Sequence, residues 1–107
     1  MTIQTLSHKF YDYSKYIKGL SPRTIQRYRQ VINYFSNFAK ITEIEEVTKE
    51  NVRDLFYFGR TTQNWTSSTY IGYHKSLVVF FLTLNCEHQK LTHHALAITF
   101  WIANYHS

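Results

Sequence analysis

The stretch SPRTIQRYRQVINYFSNFA, residues 21–39, carries the clearest helix signal in the chain. Ser21 can cap the first turn, and Pro22 at the first helical position loses no N–H group that the helix needs. Apolar side chains then recur at helical spacing, at Ile25, Tyr28, Val31, Ile32, Phe35, Phe38 and Ala39. The stretch therefore predicts a helix over residues 22–39.

Three further periodic stretches predict helices at 6–18, 49–58 and 67–84. Gly19 and Gly59 are natural stops, because glycine accepts the left-handed conformation past a helix end. The first of these helices has an apolar face made of Leu6, Phe10, Tyr13 and Ile17. The last one is apolar on several sides, including Ile71, Val78, Val79 and Leu82, so we expect it to be the most buried.

The connections between these helices are predicted to be polar, with an acidic linker at 40–47 and a loop at 60–65. Gly72 lies inside the last predicted helix, where glycine costs about 1 kcal/mol relative to alanine. Either another group approaches the backbone there or the residue is incidental.

An internal echo links two of the predicted helices at an offset of 45 residues. Ser21-x-x-Thr24 corresponds to Thr66-x-x-Thr69, and Tyr28 corresponds to Tyr73. Both helices are therefore expected to begin with hydroxyl groups in the first turn. Two copies are too few for a solenoid, so the echo favours two similar helical hairpins.

The size and composition fit one all-α domain over residues 1–107. The chain has only three Gly and one Pro, which argues against a turn-rich β fold. The apolar segment 94–105 is compatible with a strand or a fifth helix, and we favour a helix that packs on the bundle or on a partner. The resulting architecture is a four- to five-helix bundle.

The compartment is expected to be the cytoplasm. Cys86 is the single cysteine, so an intramolecular disulfide is excluded and a reducing environment is the simplest interpretation. No apolar run reaches the ~18 residues of a membrane span, and the N-terminus lacks the apolar stretch of a signal peptide.

The charge is unevenly distributed along the chain. The net charge is +5, which favours an anionic partner. Residues 1–42 hold seven Lys or Arg and one acid, whereas residues 43–59 hold five acids and two basic residues. The basic charge is thus concentrated in the first two predicted helices.

Nothing in the sequence predicts catalysis, a metal or a cofactor. It has no glycine-rich phosphate loop, no H-E-x-x-H, no C-x-x-C and no G-x-S-x-G. One cluster has metal-ligand residue types, but its spacing fits no standard zinc finger; it consists of Cys86, His88, His93 and His94. We expect no metal there.

A polar and basic strip on the helix over residues 22–39 is the best candidate for a binding surface. Arg23, Gln26, Arg27 and Gln30 lie largely off its apolar face. A helix N-terminus with hydroxyls and arginines suits phosphates, and Arg and Gln can read base edges in a DNA major groove. From composition alone, a DNA-binding surface and an ordinary solvated helix face are about equally supported.

Three segments in order resemble one known family. Residues 21–39 resemble the second helix of the N-terminal core-binding domain of tyrosine recombinases, the phage integrase family. ITEIEEVTKENVRDLF, from residue 41, resembles its linker and third helix, and SSTYIGYHKSLVVFFLTL, from residue 67, resembles its fourth. The resemblance covers about residues 6–85 and implies a SAM-like orthogonal bundle of two crossed helical hairpins.

The resemblance also implies a function. In the family this domain clamps duplex DNA opposite the catalytic domain, with its second and fourth helices toward the major groove. The DNA contacts carried over to this sequence are Ser21, Arg23, Thr24 and Arg27, together with Thr69, Tyr73 and Lys75, and His74 is a weaker candidate.

The family's catalytic residues do not carry over to this sequence, because none of the six His begins a His-x-x-Arg. The chain is therefore expected to be a non-enzymatic module of a longer recombinase. Its partners would be double-stranded DNA, its own C-terminal catalytic domain and other protomers on DNA, without a membrane. The segment 90–107 departs from the family, which usually has an Asn-Pro linker there.

An alternative of a different class is a small helical protein–protein interaction domain that does not bind nucleic acid. In that case the apolar segment 94–105 would be the docking element. Salt-dependent binding to duplex DNA discriminates the two hypotheses.

Overall fold

The computed structural model describes residues 2–87 together with Trp101 and Ile102. Within this part of the chain there are four α-helices and no β-strand, which confirms the all-α prediction. The helices are α1 (Ile3–Tyr16), α2 (Pro22–Ala39), α3 (Lys49–Thr61) and α4 (Ser67–Glu87), with a short 3-10 helix at Ile44–Glu46. Predicted and observed bounds coincide for α2.

The first helix begins earlier than predicted and uses a different apolar face. Thr2 caps it by accepting a hydrogen bond from the Thr5 N–H, and the Ile3 N–H donates to the Thr42 carbonyl at 2.8 Å. Ile3 is therefore buried, whereas Ile17 lies past the helix end and is 72% exposed. The assignment of Ile17 to the core was wrong, because the helix ends at Tyr16 before that position is turned inward.

The third helix passes through its predicted stop at Gly59 and ends at Thr61. Gly59 is buried, and a Cβ there would overlap the indole ring of Trp65. Trp65 itself belongs to the loop predicted to be polar, yet its ring packs against Tyr34, Phe56 and Tyr73. The glycine thus makes room for a packed aromatic ring and does not terminate the helix.

The connection over residues 40–47 is also more ordered than a solvated linker. Lys40 adopts the left-handed conformation that ends α2. Glu43 and Glu46 cap the 3-10 helix reciprocally, while Ile44 and Val47 are both buried. The acidic side chains of this connection therefore lie at the surface, while Ile44 and Val47 attach it to the core.

A single apolar cluster unites the four helices. Helices α2 and α4 each pack against the other three helices, so this pair forms the centre of the bundle. The largest fully buried side chains of the cluster are Leu6, Ile32, Phe35, Leu55, Phe56, Leu77, Phe80, Leu84 and Ile102.

Helix α4 is less enclosed than its apolar sequence predicted. Ile71 is 60% and Leu82 is 44% exposed. Most of the predicted fifth helix, 94–105, lies outside the described residues, but Trp101 and Ile102 have helical backbone. Ile102 is fully buried, and its carbonyl oxygen lies 2.8 Å from Nε2 of His74 in α4.

Candidate nucleic-acid interface

A groove of about 710 Å³ runs between α2 and α4. Helix α2 contributes the basic and amide side chains of its exposed face, and α4 contributes small residues and a lysine. The lining consists of Arg23, Thr24, Gln26, Arg27, Tyr28 and Gln30 from α2, and of Gly72, Lys75 and Ser76 from α4. We call this feature the α2–α4 groove.

Local capping fixes the basic end of α2. The Ser21 hydroxyl accepts a hydrogen bond from the Thr24 N–H at 3.3 Å and lies 3.1 Å from the Thr24 hydroxyl. Because Val31, Ile32 and Phe35 are buried, the opposite face of the helix is turned to solvent. Arg23 and Arg27, one turn apart, are both exposed on that side.

Gly72 of α4 lies opposite Arg27 of α2. A Cβ built on Gly72 would lie 3.8 Å from Nη1 of Arg27, which is ordinary van der Waals contact. The guanidinium of Arg27 therefore rests over the backbone of α4. The glycine inside α4 has a neighbour after all, and that neighbour is a cation of the groove.

The electrostatics of the groove are one-sided. Helix α2 has no Asp or Glu, and α4 has none before its last residue. Among the described residues, no carboxylate lies within ion-pair distance of Arg23, Arg27 or Lys75. Three cations without acidic partners therefore line one concave surface, which is suited to an anion.

Tyr73 lies beside the groove but does not line it. Its ring packs on the indole of Trp65, with centroids 4.2 Å apart, and meets Tyr34 edge-on. Burial raises the pKa of the Tyr73 phenol, Tyr34 raises it further, and the nearby Arg27 guanidinium offsets part of the rise. Tyr73 therefore supports the walls of the groove.

The remaining α4 residues predicted to contact DNA also differ in whether they line the groove. The hydroxyl of Thr69 accepts a hydrogen bond from Thr66, whose own hydroxyl caps the helix through the Thr69 N–H. His74 is hydrogen-bonded to the Ile102 carbonyl and does not belong to the groove lining. Only Lys75 among the predicted α4 residues lines the groove.

The structure thus brings together Arg23, Thr24, Arg27 and Lys75, with Ser21 at the adjoining cap, whereas Thr69 and Tyr73 stay outside the lining. Sequence reasoning missed Ser76, and it left open whether another group approaches Gly72. The available signal was their spacing: two small residues four positions apart mark a helix face that a neighbour can approach.

A second, smaller groove of about 450 Å³ lies on the other side of α2, against α1. Arg29 of α2 lies there, with its guanidinium 4.5 Å from the ring centroid of Tyr11. Burial raises the pKa of the Tyr11 phenol, and the neighbouring Ser7 hydroxyl and Arg29 offset part of that rise. We call this feature the α1–α2 groove.

The described residues include no group of three or more His, Cys, Asp or Glu side chains that could hold a metal ion. No helix among them is long and apolar enough to cross a membrane. The histidines of the Cys86 cluster, His88, His93 and His94, lie outside the described residues.

Comparison with known proteins identifies one family. The sequence profile described as phage integrase, N-terminal SAM-like domain, matches residues 6–90. This match confirms the resemblance carried by the helices at 21–39 and 67–84. Neither the curated proteins nor the solved structures contain a significant match to the chain.

Proposed function

Because the chain belongs to the phage integrase N-terminal SAM-like domain family, we propose that it is the DNA-binding, core-binding module of a tyrosine recombinase. The observation that carries the proposal is the α2–α4 groove, where Arg23, Arg27 and Lys75 meet without an acidic partner among the described residues. The module acts in DNA integration and recombination by holding duplex DNA.

Phosphate contacts account for the chemistry of this groove. Duplex DNA carries one charge per ~1.7 Å of axis, so each Lys or Arg that neutralises a phosphate adds affinity by releasing counterions. Thr24 lies in the first turn of α2, where backbone N–H groups and the helix dipole favour an anion. Ser21 and Thr24 supply hydroxyls beside the cations.

The reaction itself belongs to a different part of the parent protein. A tyrosine recombinase needs a nucleophilic tyrosine and a His-x-x-Arg, and the present sequence holds no His-x-x-Arg. The module's partners are then double-stranded DNA, the catalytic domain of the same polypeptide and further protomers on DNA. By itself the chain forms no covalent adduct with DNA.

The competing hypothesis of a protein-docking domain has less support. It relies on a free apolar tail, yet Ile102, the buried residue of the described tail, packs on the chain's own core. The backbone carbonyl of Ile102 is also held by His74. The part of the tail that the structure describes is thus engaged internally.

The test compares two ways of removing positive charge. Arg23→Ala/Arg27→Ala removes two groove cations, and Arg53→Ala removes an exposed cation on α3 that lies beside Asp54. Titrations of a labelled duplex at several salt concentrations should give a log–log slope smaller by ~1.8 for the double variant, since each phosphate contact contributes ~0.9. Arg53→Ala should change the slope little.

The affinity of the isolated chain is expected to be low, on the order of 10⁻⁴–10⁻⁶ M as for non-specific binding. The groove is the wrong surface if the folded double variant binds like the wild type. The same conclusion follows if Arg53→Ala weakens binding as much as the double variant.

A further inference from the structure

Arg29 of α2 lies where two concave surfaces meet. The first is the α1–α2 groove, and the second is a smaller pocket of about 350 Å³ where α1 leads into α2. The smaller pocket is lined by Lys15, Leu20, Pro22, Ile25, Gln26 and Arg29. Its three apolar residues all keep part of their surface open to solvent. We call it the Leu20 pocket, and it adjoins the α1–α2 groove because Arg29 belongs to both linings.

The walls of the α1–α2 groove carry carboxamide side chains. Asn33 and Asn37 line it from α2, and Gln4 lines it from α1. All three are exposed, and none of their amide groups is hydrogen-bonded to another described residue. A carboxamide presents an acceptor and a donor side by side, as a peptide group does. The groove therefore offers unused hydrogen-bonding groups that match a polypeptide main chain.

The spacing of the side chains on α2 also fits an extended polypeptide. Arg29, Asn33 and Asn37 follow one another at steps of four residues, which is about 6 Å along the helix axis for each step. In an extended chain, groups that face the same side recur every second residue, or about every 6.6 Å. Successive same-side groups of an extended segment can therefore meet these three side chains in turn.

The floor of the groove contains a buried polar group without a partner. Tyr11 lines the groove and is only 5% exposed. Its hydroxyl makes no hydrogen bond with a described residue, and the neighbouring Ser7 hydroxyl donates to the Gln4 carbonyl at 2.7 Å. Buried hydroxyls in native proteins are normally hydrogen-bonded. A carbonyl oxygen of a bound segment would supply the missing acceptor.

The charge of the two surfaces favours an acidic ligand. Neither lining contains Asp or Glu, whereas Lys15 and Arg29 both line the Leu20 pocket. The Arg29 guanidinium lies over the Tyr11 ring and has no ion pair with a carboxylate of the described residues. A guanidinium binds a carboxylate through two parallel hydrogen bonds. A segment that fits therefore places an acid at Arg29.

We propose that the α1–α2 groove and the Leu20 pocket bind an extended acidic segment of a second protein. The main chain of the segment pairs with Asn33 and Asn37, and an Asp or Glu side chain binds Arg29. An apolar side chain two residues from that acid enters the Leu20 pocket, because Ile25 lies one helical turn from Arg29. This inference goes beyond the proposed function, since the α1–α2 groove shares no residue with the lining of the α2–α4 groove.

The length of the segment follows from the length of the two surfaces. Ile25 and Asn37 are 12 positions apart, which is about 18 Å along α2. An extended chain covers this distance with about five or six residues. Short extended segments of this kind are a common mode of peptide recognition, in which the main chain supplies affinity and side-chain pockets supply specificity.

Two other occupants fit these surfaces less well. Duplex DNA is held by several Lys or Arg at once, whereas the α1–α2 groove has one arginine beside three uncharged carboxamides. A second copy of this chain would have to supply an acidic extended segment. Its seven acids, however, lie in α-helices or in the 3-10 helix and its cap. The partner is therefore a different protein.

The experiment presents the whole chain with a displayed library of random peptides of about ten residues. The enriched peptides should share an Asp or Glu two residues from an apolar residue. A fluorescently labelled synthetic copy of one enriched peptide is then titrated with the wild type and with Arg29→Gln. The variant should bind about 10-fold or more weakly, as expected for the loss of a charge-assisted hydrogen bond.

A change in the peptide tests the same contact from the other side. Replacing its acid by the corresponding amide should weaken binding to the wild type by a similar factor. The same replacement should not weaken binding to Arg29→Gln any further, because the two changes remove one interaction. If Arg29→Gln does not fold, the loss caused by the peptide's amide decides the outcome with the wild type alone.

Two further variants serve as controls for charge and for fold. Arg53→Gln removes an exposed cation from α3 and should bind the peptide like the wild type. Asn33→Ala/Asn37→Ala should weaken peptide binding. Its thermal midpoint should be equal or slightly higher, because alanine is a better helix former than asparagine.

Several results would overturn the proposal. These are the enrichment of no common sequence, a common sequence without an acid, and equal affinity of the wild type and Arg29→Gln for the peptide. Displacement of the peptide by duplex DNA, together with weaker DNA binding by Arg29→Gln, would identify the groove as a DNA surface. Self-association that Arg29→Gln abolishes would identify it as a contact between copies of the chain.

Discussion

Two of the three glycines of this chain, Gly59 and Gly72, lie inside helices and face different neighbours. Gly59 faces the indole of Trp65, which occupies the place where a Cβ would stand. Gly72 faces the guanidinium of Arg27 at a distance that a methyl group can accept. Both glycines are helical, so replacement by alanine would stabilise the helical backbone at either position. Whether the substitution stabilises the protein then depends on the side chain that the new methyl group would meet.

Gly59→Ala should therefore destabilise the protein, and Gly72→Ala should stabilise it. Overpacking against Trp65 costs about 1–3 kcal/mol, which exceeds the gain in helix propensity. At Gly72 the propensity gain of about 0.5–1 kcal/mol remains. Urea unfolding measures the free energy of unfolding of both variants. A stabilised Gly59→Ala variant would show that the Trp65 indole moves aside at little energetic cost.

At the scale of elements, the two echoed helices begin with the same hydrogen bonds. The Ser21 hydroxyl accepts from the Thr24 N–H, and the Thr66 hydroxyl accepts from the Thr69 N–H. The second residue of each pair also lies beside the capping hydroxyl, at 3.1 and 3.2 Å. The sequence echo is thus a repeated capping device, although only the first of the two caps borders the α2–α4 groove.

The described part of the tail stabilises α4 from outside. Ile102 is fully buried, and its carbonyl meets His74. Ile102→Ala should cost about 2–4 kcal/mol, as large-to-small changes in a core do. The matched control is Ile71→Ala in α4, because Ile71 is 60% exposed. This substitution should change the free energy of unfolding by less than about 0.5 kcal/mol. Thermal or urea unfolding measures both, and equal values would mean that the tail is not part of the core.

At the scale of the whole molecule, we expect one cooperative unfolding transition. The buried residues of α1, α2, α3 and α4 form one cluster, and no described helix has a core of its own. Domains of this size usually unfold in an all-or-none manner when they share a core. Tryptophan fluorescence, which reports on Trp65 and Trp101, should therefore give the same midpoint as far-UV circular dichroism. Separate midpoints would indicate that the α3–α4 junction or the tail forms an independent unit.

The charge distribution is also a property of the whole molecule. The acids of α3 and of the connection before it belong to elements other than α2 and α4, which line the proposed DNA surface. Exposed charges separated by more than a Debye length, about 8 Å at physiological salt, interact weakly. The two helices that line the proposed surface therefore contain one acid, Glu87 at the last position of α4, although the chain contains seven.

The sequence by itself determined the helices, because helix formation depends on local signals. Ser21, Pro22 and the apolar period of α2 predicted its bounds, and the family resemblance and the Arg23–Arg27 pair could be seen in the same nineteen residues. Where a boundary depended on a distant partner, prediction failed. Ile3 is fixed by the Thr42 carbonyl, and Gly59 is required by Trp65.

Only the tertiary structure decided which side chains share a surface. Lys75 joins Arg23 and Arg27 because α4 packs against α2, and Tyr73 stays outside the groove lining, where its ring packs on that of Trp65. The two concave surfaces that flank α2 likewise exist only once α1 and α4 are in place. Periodicity assigns a residue to a face of its own helix, but the neighbour of that face is set by packing between segments far apart in the chain.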